Sequence, residues 1–343
     1  MTSIRNVFWN SDQRRLRALW RLMGQGFLLV TIIIVAQIAI GTFLVGALVA
    51  GGELSPDQLS DPRALQQLLT QDPLLMLLLQ LSTGVPIILS VWMAGRFLDR
   101  RPFADFGFHL DRNWWIDLGF GLVQGAALML LIFLIELAAG WITITDTFAT
   151  RQPGARFVPA ILPPLVTFLA VGFYEELFSR GYQLQNFAEG LNWGVIGPRG
   201  ALFIATALSS AVFGVLHAMN PNATPISTLY LVIAGFHLAA GYLLTGELAI
   251  PIGQHITWNF FQGNVFGFPV SGTDFRSATF IRIEQGGPEL WTGGPFGPEA
   301  GFIGLAAMII GILWTIAWVR WRRGEVGLRL SLAQPPELPQ DAA

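Results

Sequence analysis

The chain has 343 residues, of which 53% are hydrophobic and only 12% charged, with a formal net charge of -2 and a mean hydropathy of +0.55. A soluble domain carries about 25% charged residues, so this composition excludes an ordinary water-soluble globule, and the near-zero charge points away from a nucleic-acid partner. No cysteine is present, which excludes disulfides, thiolate metal sites and a cysteine nucleophile.

Residues 1–22 carry Arg5, Arg14, Arg15, Arg17 and Arg21 among Trp9, Leu16, Leu19 and Trp20. This mixture suits an amphipathic segment lying on an anionic leaflet. The apolar run that follows is longer than the ~7–15-residue core of a cleaved signal peptide and reads as a retained first span. Crossing the hydrocarbon takes about 20 apolar residues. Eight stretches meet or approach that length: 24–50, 73–95, 115–142, 158–183, 200–218, 226–244, 249–266 and 301–319. The predicted fold is therefore all-α and polytopic, with about eight transmembrane helices around a buried polar cavity. It divides into two leading helices within 23–95, a core over 96–266 and a last helix within 300–323.

Between the spans, Arg96, Arg100, Arg101 and Arg112 share a side with the N-terminal arginines and with Arg320, Arg322, Arg323 and Arg329. The positive-inside rule then places both termini in the cytoplasm, in a bacterial inner membrane. The acidic first loop (Glu53, Asp57, Asp61, Asp72) falls outside, while Arg151 and Arg156 run against the trend. Residues 267–299 are rich in Gly and Pro and read as an exterior loop of turns, with a short strand at 279–283. Residues 324–343 read as a disordered tail.

Three polar insertions interrupt otherwise apolar helices. The first is Glu175, Glu176 and Arg180, the second Phe213 and His217, the third His255 and Asn259. Ionisable groups at bilayer depth cost a few kcal/mol at least, so they mark protein interiors and functional paths. Glu176 and Arg180 have the acid-then-base order of a helical i,i+4 ion pair. Glu175 points about 100° away from Glu176 and needs another partner. A buried carboxylate poised near neutrality is what a general base requires. One carboxylate, two imidazoles and one amide together bind and activate a water, held either by hydrogen bonds or by a His/Glu-bound metal. For the three insertions to meet, the turn near 192–198 projects into the cytoplasm and the cavity opens there. Part of 220–225 then dips inward as irregular backbone. His237 reads as structural, His109 as solvated, Glu136 as reaching the interface, and the glycines over 119–125 as packing features.

EELFSR, FGVLH and HITWN, in this order and in separate apolar helices, resemble the EExxxR, FxxxH and HxxxN motifs of the CPBP intramembrane proteases, the CAAX protease and bacteriocin-processing (Abi) family. The resemblance covers about residues 96–264. It implies that Glu175 activates the attacking water with help from His217, and that Glu176 and Arg180 form the supporting ion pair beside Phe213. His255 and Asn259 stabilise the oxyanion or, in a metalloprotease reading, assist a zinc ion bound by Glu175, His217 and His255. The expected function is hydrolysis of a peptide bond in a membrane-associated protein or peptide, within the lipid bilayer. A non-catalytic membrane scaffold or transporter that uses the same polar cluster for binding is the alternative.

Overall fold

The computed structural model describes residues 5–52, 54–55 and 72–336; most of the acidic first loop and residues 337–343 lie outside the described residues. The chain is an all-α polytopic membrane protein. Among the described residues, seven helices are long and apolar enough to cross a membrane. They are α1 (Ala18–Ala50), α2 (Pro73–Asp99), α3 (Arg112–Ala138), α4 (Phe157–Leu191), α5 (Gly197–Leu216), α6 (Pro225–Thr245) and α8 (Phe302–Arg323).

The stretch expected as an additional span, 249–266, is instead the 12-residue helix α7 (Ala249–Phe260), continued by a π turn over Phe261–Val265. It is short and carries Gln254, His255, Thr257, Asn259, Gln262 and Asn264, so it gains little from facing lipid. Its place is the centre of the bundle, with residues 249–256 buried throughout. Glycines let the neighbouring helices reach its backbone. A Cβ on Gly125 of α3 would stand 2.4 Å from the Gln254 carbonyl oxygen, and one on Gly172 of α4 would stand 2.5 Å from Ile256 Cγ1. The expectation that glycines 119–125 serve packing is met at Gly121 and Gly125. α7 runs parallel to α3, since Gly121 faces Ile250, Gly125 faces Gln254 and Phe133 stacks on Phe266 at 4.6 Å. It therefore carries the chain from one end of the bundle to the other, although it is no lipid-facing span.

Both ends of the described chain meet at the arginine-rich end. Arg15 and Arg21 are buried there, bonding Glu189 at the end of α4 at 2.6 and 2.9 Å. Arg101 bonds the same carboxylate and the Gln334 carbonyl. The N-terminal segment is thus not a purely surface-lying amphipath: pairing these arginines with a buried acid outweighs leaving them at a headgroup layer. The tail expected to be disordered from 324 is likewise folded as far as 336. Leu330–Ala333 forms a 3-10 turn with Leu332 and Ala333 buried, and the Arg329 amide donates to the Leu243 carbonyl.

At the opposite end, β1 (Ile142–Thr150) pairs antiparallel with β2 (Ala278–Gln285), from Ile142 opposite Gln285 to Thr150 opposite Ala278. β2 extends the strand expected at 279–283. β1 was not expected, although its alternating Ile and Thr suit a pleated surface. Arg151 pairs with Asp274 at 2.8 Å on this side, which explains its departure from the charge rule. Glu136 does not reach an interface: it is fully buried and accepts from Gln285 Nε2 at 3.2 Å.

Candidate active site

The first motif lies where α4 widens from α to π geometry over Leu177–Leu184, a distortion that accompanies functional sites. Glu176 and Arg180 pair across that boundary at 2.8 Å, both with almost no solvent exposure. Arg180 also donates to the Gly235 carbonyl at 3.1 Å and lies 4.6 Å over the Phe213 ring. The same Glu176 Oε1 accepts from His255 Nδ1 at 2.7 Å. One buried carboxylate thus joins the first motif to the third.

An ionised carboxylate only accepts, so this bond assigns the proton of neutral His255 to Nδ1 and leaves Nε2 with a lone pair. Nε2 stands 3.9 Å from Glu175 Oε2. That gap is too long for a direct hydrogen bond. Glu175 Oε2 is shielded from solvent and has no hydrogen-bond partner among the described residues. Glu175 is therefore set apart from its neighbour, facing His255 while Arg180 serves Glu176.

His217 caps the C-terminal end of α5, where the last carbonyls lack intrahelical donors. Its Nδ1 donates to the Phe213 carbonyl at 2.8 Å, which again leaves Nε2 as the uncommitted nitrogen. The Phe213 ring lies 4.7 Å from the His217 ring and 6.2 Å from the His255 ring, so it neighbours both imidazoles. Glu175, Phe213, His217, His255 and Asn259 all line one cavity of about 430 Å³. His237 lines it too, buried and bonded to Gln254, in keeping with a structural role.

The remaining walls come from the middles of α1 and α2 (Leu29, Ile33, Gln80, Ile87) and from the segment of the exterior loop around Ser271. No residue of the turns at 100–111, 192–196 or 246–248 contributes. The cavity therefore does not open at the arginine-rich end, as expected from the sequence, but extends toward the opposite one. The reason is the irregular segment after His217: Asn220 lines the cavity and its Nδ2 donates to the Ser271 carbonyl at 2.8 Å, drawing the exterior loop over the mouth.

Sequence reasoning missed Glu299, a buried acid of that loop which also lines the cavity. It accepts from the Ser271 amide at 2.5 Å and from Gln262 Nε2, tying the loop to the end of α7. Burial pushes its carboxyl up to about 7, against the opposing pull of those donors. Tyr174 was missed as well; its hydroxyl donates to Gln80 at 3.0 Å and fixes α2 beside the site.

Glu175, His217 and His255 are the groups that would hold a zinc ion. Among the described residues no three His, Asp or Glu side chains gather into such a ligand set. Each histidine donates Nδ1–H to the protein and keeps Nε2 free, while Glu176 is occupied by Arg180 and His255. As arranged, these residues do not gather into a three-ligand zinc site.

The family described as type II CAAX prenyl endopeptidase Rce1-like matches residues 157–261, the segment that holds all three motifs. The uncharacterised protein YyaK of Bacillus subtilis (strain 168) is 28% identical over 201 residues, which cover 57% of this chain. The chain spans 63% of the length of that curated relative. No solved structure matches. Through the helices that carry EELFSR, FGVLH and HITWN, the 157–261 segment of this chain is similar to the type II CAAX prenyl endopeptidases of the Rce1-like family, which bears out the CAAX-protease resemblance of the three motifs.

Proposed function

We propose that this protein is an intramembrane endopeptidase of the glutamate type, which hydrolyses a peptide bond in a membrane-associated protein or peptide. The observation that carries this reading is the 3.9 Å gap between Glu175 Oε2 and His255 Nε2, two acceptors lining one cavity with His217 and Asn259. A water that donates one proton to each acceptor is held with its oxygen lone pairs free. Glu175 takes a proton as that oxygen attacks the scissile carbonyl carbon. The developing oxyanion accepts from the Asn259 amide, and the proton on Glu175 passes to the leaving amine as the C–N bond breaks.

Glu176 contributes by holding His255 in the tautomer that presents its lone pair, while Arg180 pairs with Glu176 in the interior. His217 Nε2 offers a second basic nitrogen for the proton on its way to the amine. The apolar side walls favour a substrate that arrives from the bilayer. The distribution of arginines supports a cytoplasmic placement of both termini. Membrane proteomes of cells carrying the parent chain or Glu175→Gln test the proposal. Precursors that remain uncut only in the variant are expected. Identical sets of membrane-protein termini in the two strains would refute it and favour a binding role for the cluster.

A further inference from the structure

A second cleft, of about 400 Å³, lies at the arginine-rich end and shares no lining residue with the cavity at Glu175. Its walls are the start of α3, the end of α6 with the turn after it, the end of α8, and Arg329 of the folded tail. Three membrane-crossing helices end there, which sets the cleft at the level of lipid headgroups. The largely exposed Trp115 and Trp321, next to it in sequence on α3 and α8, are the aromatic residues expected at that level.

The charges in the cleft are not equally committed. Asp117 has both oxygens occupied, by Trp318 Nε1 at 2.8 Å and by Arg323 Nη2 at 3.0 Å, so these two charges neutralise one another. Arg322 donates from Nη2 to Asn113 at 3.0 Å, but its Nε is buried without a partner. Arg329 has neither an ion pair nor a side-chain hydrogen bond among the described residues. On the acidic side, Asp111 uses Oδ1 to cap the Trp114 amide at 2.8 Å. Among the described residues, the Glu247 carboxylate receives only His109, from Nδ1 at 2.9 Å and from the backbone amide at 3.2 Å.

Two guanidinium groups with spare donors thus line the same cleft as two carboxylates with spare acceptor capacity. A purely anionic ligand would satisfy the first pair and be repelled by the second. A zwitterion satisfies both. We infer that this cleft binds a phosphoethanolamine headgroup of a membrane phospholipid, with the phosphate on Arg322 and Arg329 and the primary amine on Asp111 and Glu247. Guanidinium groups suit phosphate because their forked donors match its oxygens. A primary ammonium donates hydrogen bonds to carboxylates, which a quaternary ammonium lacks the protons to do.

The test is lipid binding to the purified full-length protein by native mass spectrometry. The probes are dihexanoyl phosphatidylethanolamine, phosphatidylglycerol and phosphatidylcholine, with phosphoethanolamine and inorganic phosphate as the free sources of the same chemistry. Phosphatidylethanolamine is expected to bind most tightly. Arg329→Gln, at an exposed position with no partner to lose, is expected to weaken it about tenfold, the loss of one charge-assisted contact. Asp111→Asn keeps a capping oxygen for α3 and is expected to erase the preference over phosphatidylglycerol. Equal binding of the three lipids, or no effect of either variant, would overturn the inference. Binding of free phosphoethanolamine or inorganic phosphate as tightly as the lipid would overturn the lipid assignment.

Discussion

Glu175 and Glu176 are adjacent, yet their surroundings require opposite responses to the same substitution. Glu176 Oε1 accepts from Arg180 at 2.8 Å and from His255 at 2.7 Å, with Arg180 only 1% exposed. In Glu176→Gln the amide oxygen still accepts from both donors, but the negative charge opposite the buried guanidinium is gone, leaving it only neutral partners in that oxygen, the Gly235 carbonyl and the face of Phe213. Removing one partner of a buried ion pair costs about 3–5 kcal/mol, chiefly for the charge left uncompensated. The amide oxygen retains both hydrogen bonds, which places this variant near the lower figure, about 3 kcal/mol. Glu175→Gln removes no bonded partner from a side chain that is 22% exposed, and its unfolding free energy stays within about 0.5 kcal/mol of the parent. Denaturant unfolding in detergent micelles, followed by the fluorescence of the twelve tryptophans, measures both. Equal stability of Glu176→Gln and the parent, or an equal fall for the two variants, refutes the assignment of Glu176 as the buried organiser.

Gly125→Ala sets a Cβ 2.4 Å from the Gln254 carbonyl oxygen and 2.8 Å from the Trp258 amide, both backbone atoms of α7. The helix that carries His255 must shift, so stability falls by about 1–3 kcal/mol and hydrolysis falls with it; parent-like values of both in the purified variant would contradict this. Glu299 titrates at about 7 in the fold, against a usual value of 4.5. Between these values the folded state binds more protons than the unfolded one, so stability declines as pH rises from 4.5 to 7 and is flat outside that window, by up to about 3 kcal/mol. Stability measured against pH should lose this decline in Glu299→Gln, and an unchanged profile would show that another group causes it. Because the site gathers no three-ligand set, EDTA or phenanthroline is expected to leave cleavage by the purified protein unchanged. Inhibition reversed by added zinc would contradict the metal-free route.

The helices and the site motifs were legible because a charged or imidazole side chain stands out in an apolar run, and because helical spacing places 176 with 180 and 213 with 217. What could not be read is how distant segments share one group. Glu176 serves His255, 79 residues away, and neither motif contains that bond. Glu299 looks like any acid of a Gly/Pro-rich exterior loop; its burial exists only once Asn220 and Gln262 draw that loop over the cavity. The buried Arg15 and Arg21 were hidden for the same reason, since their partner Glu189 belongs to the far end of α4. In the sequence α7 reads as a span because hydropathy averages over its length, whereas its glutamine, histidine and asparagine side chains make it the polar axis of the bundle.

The central claim is that Glu175 and His255 hold one water that breaks a peptide bond, with His217 assisting the proton's transfer to the leaving amine. It is tested most directly by turnover of an identified precursor by the purified, reconstituted protein, compared among the parent, Glu175→Gln, His217→Ala and His255→Ala. The account predicts that each replacement lowers kcat by about a hundredfold or more while the protein stays folded. Parent-like turnover by Glu175→Gln would contradict it.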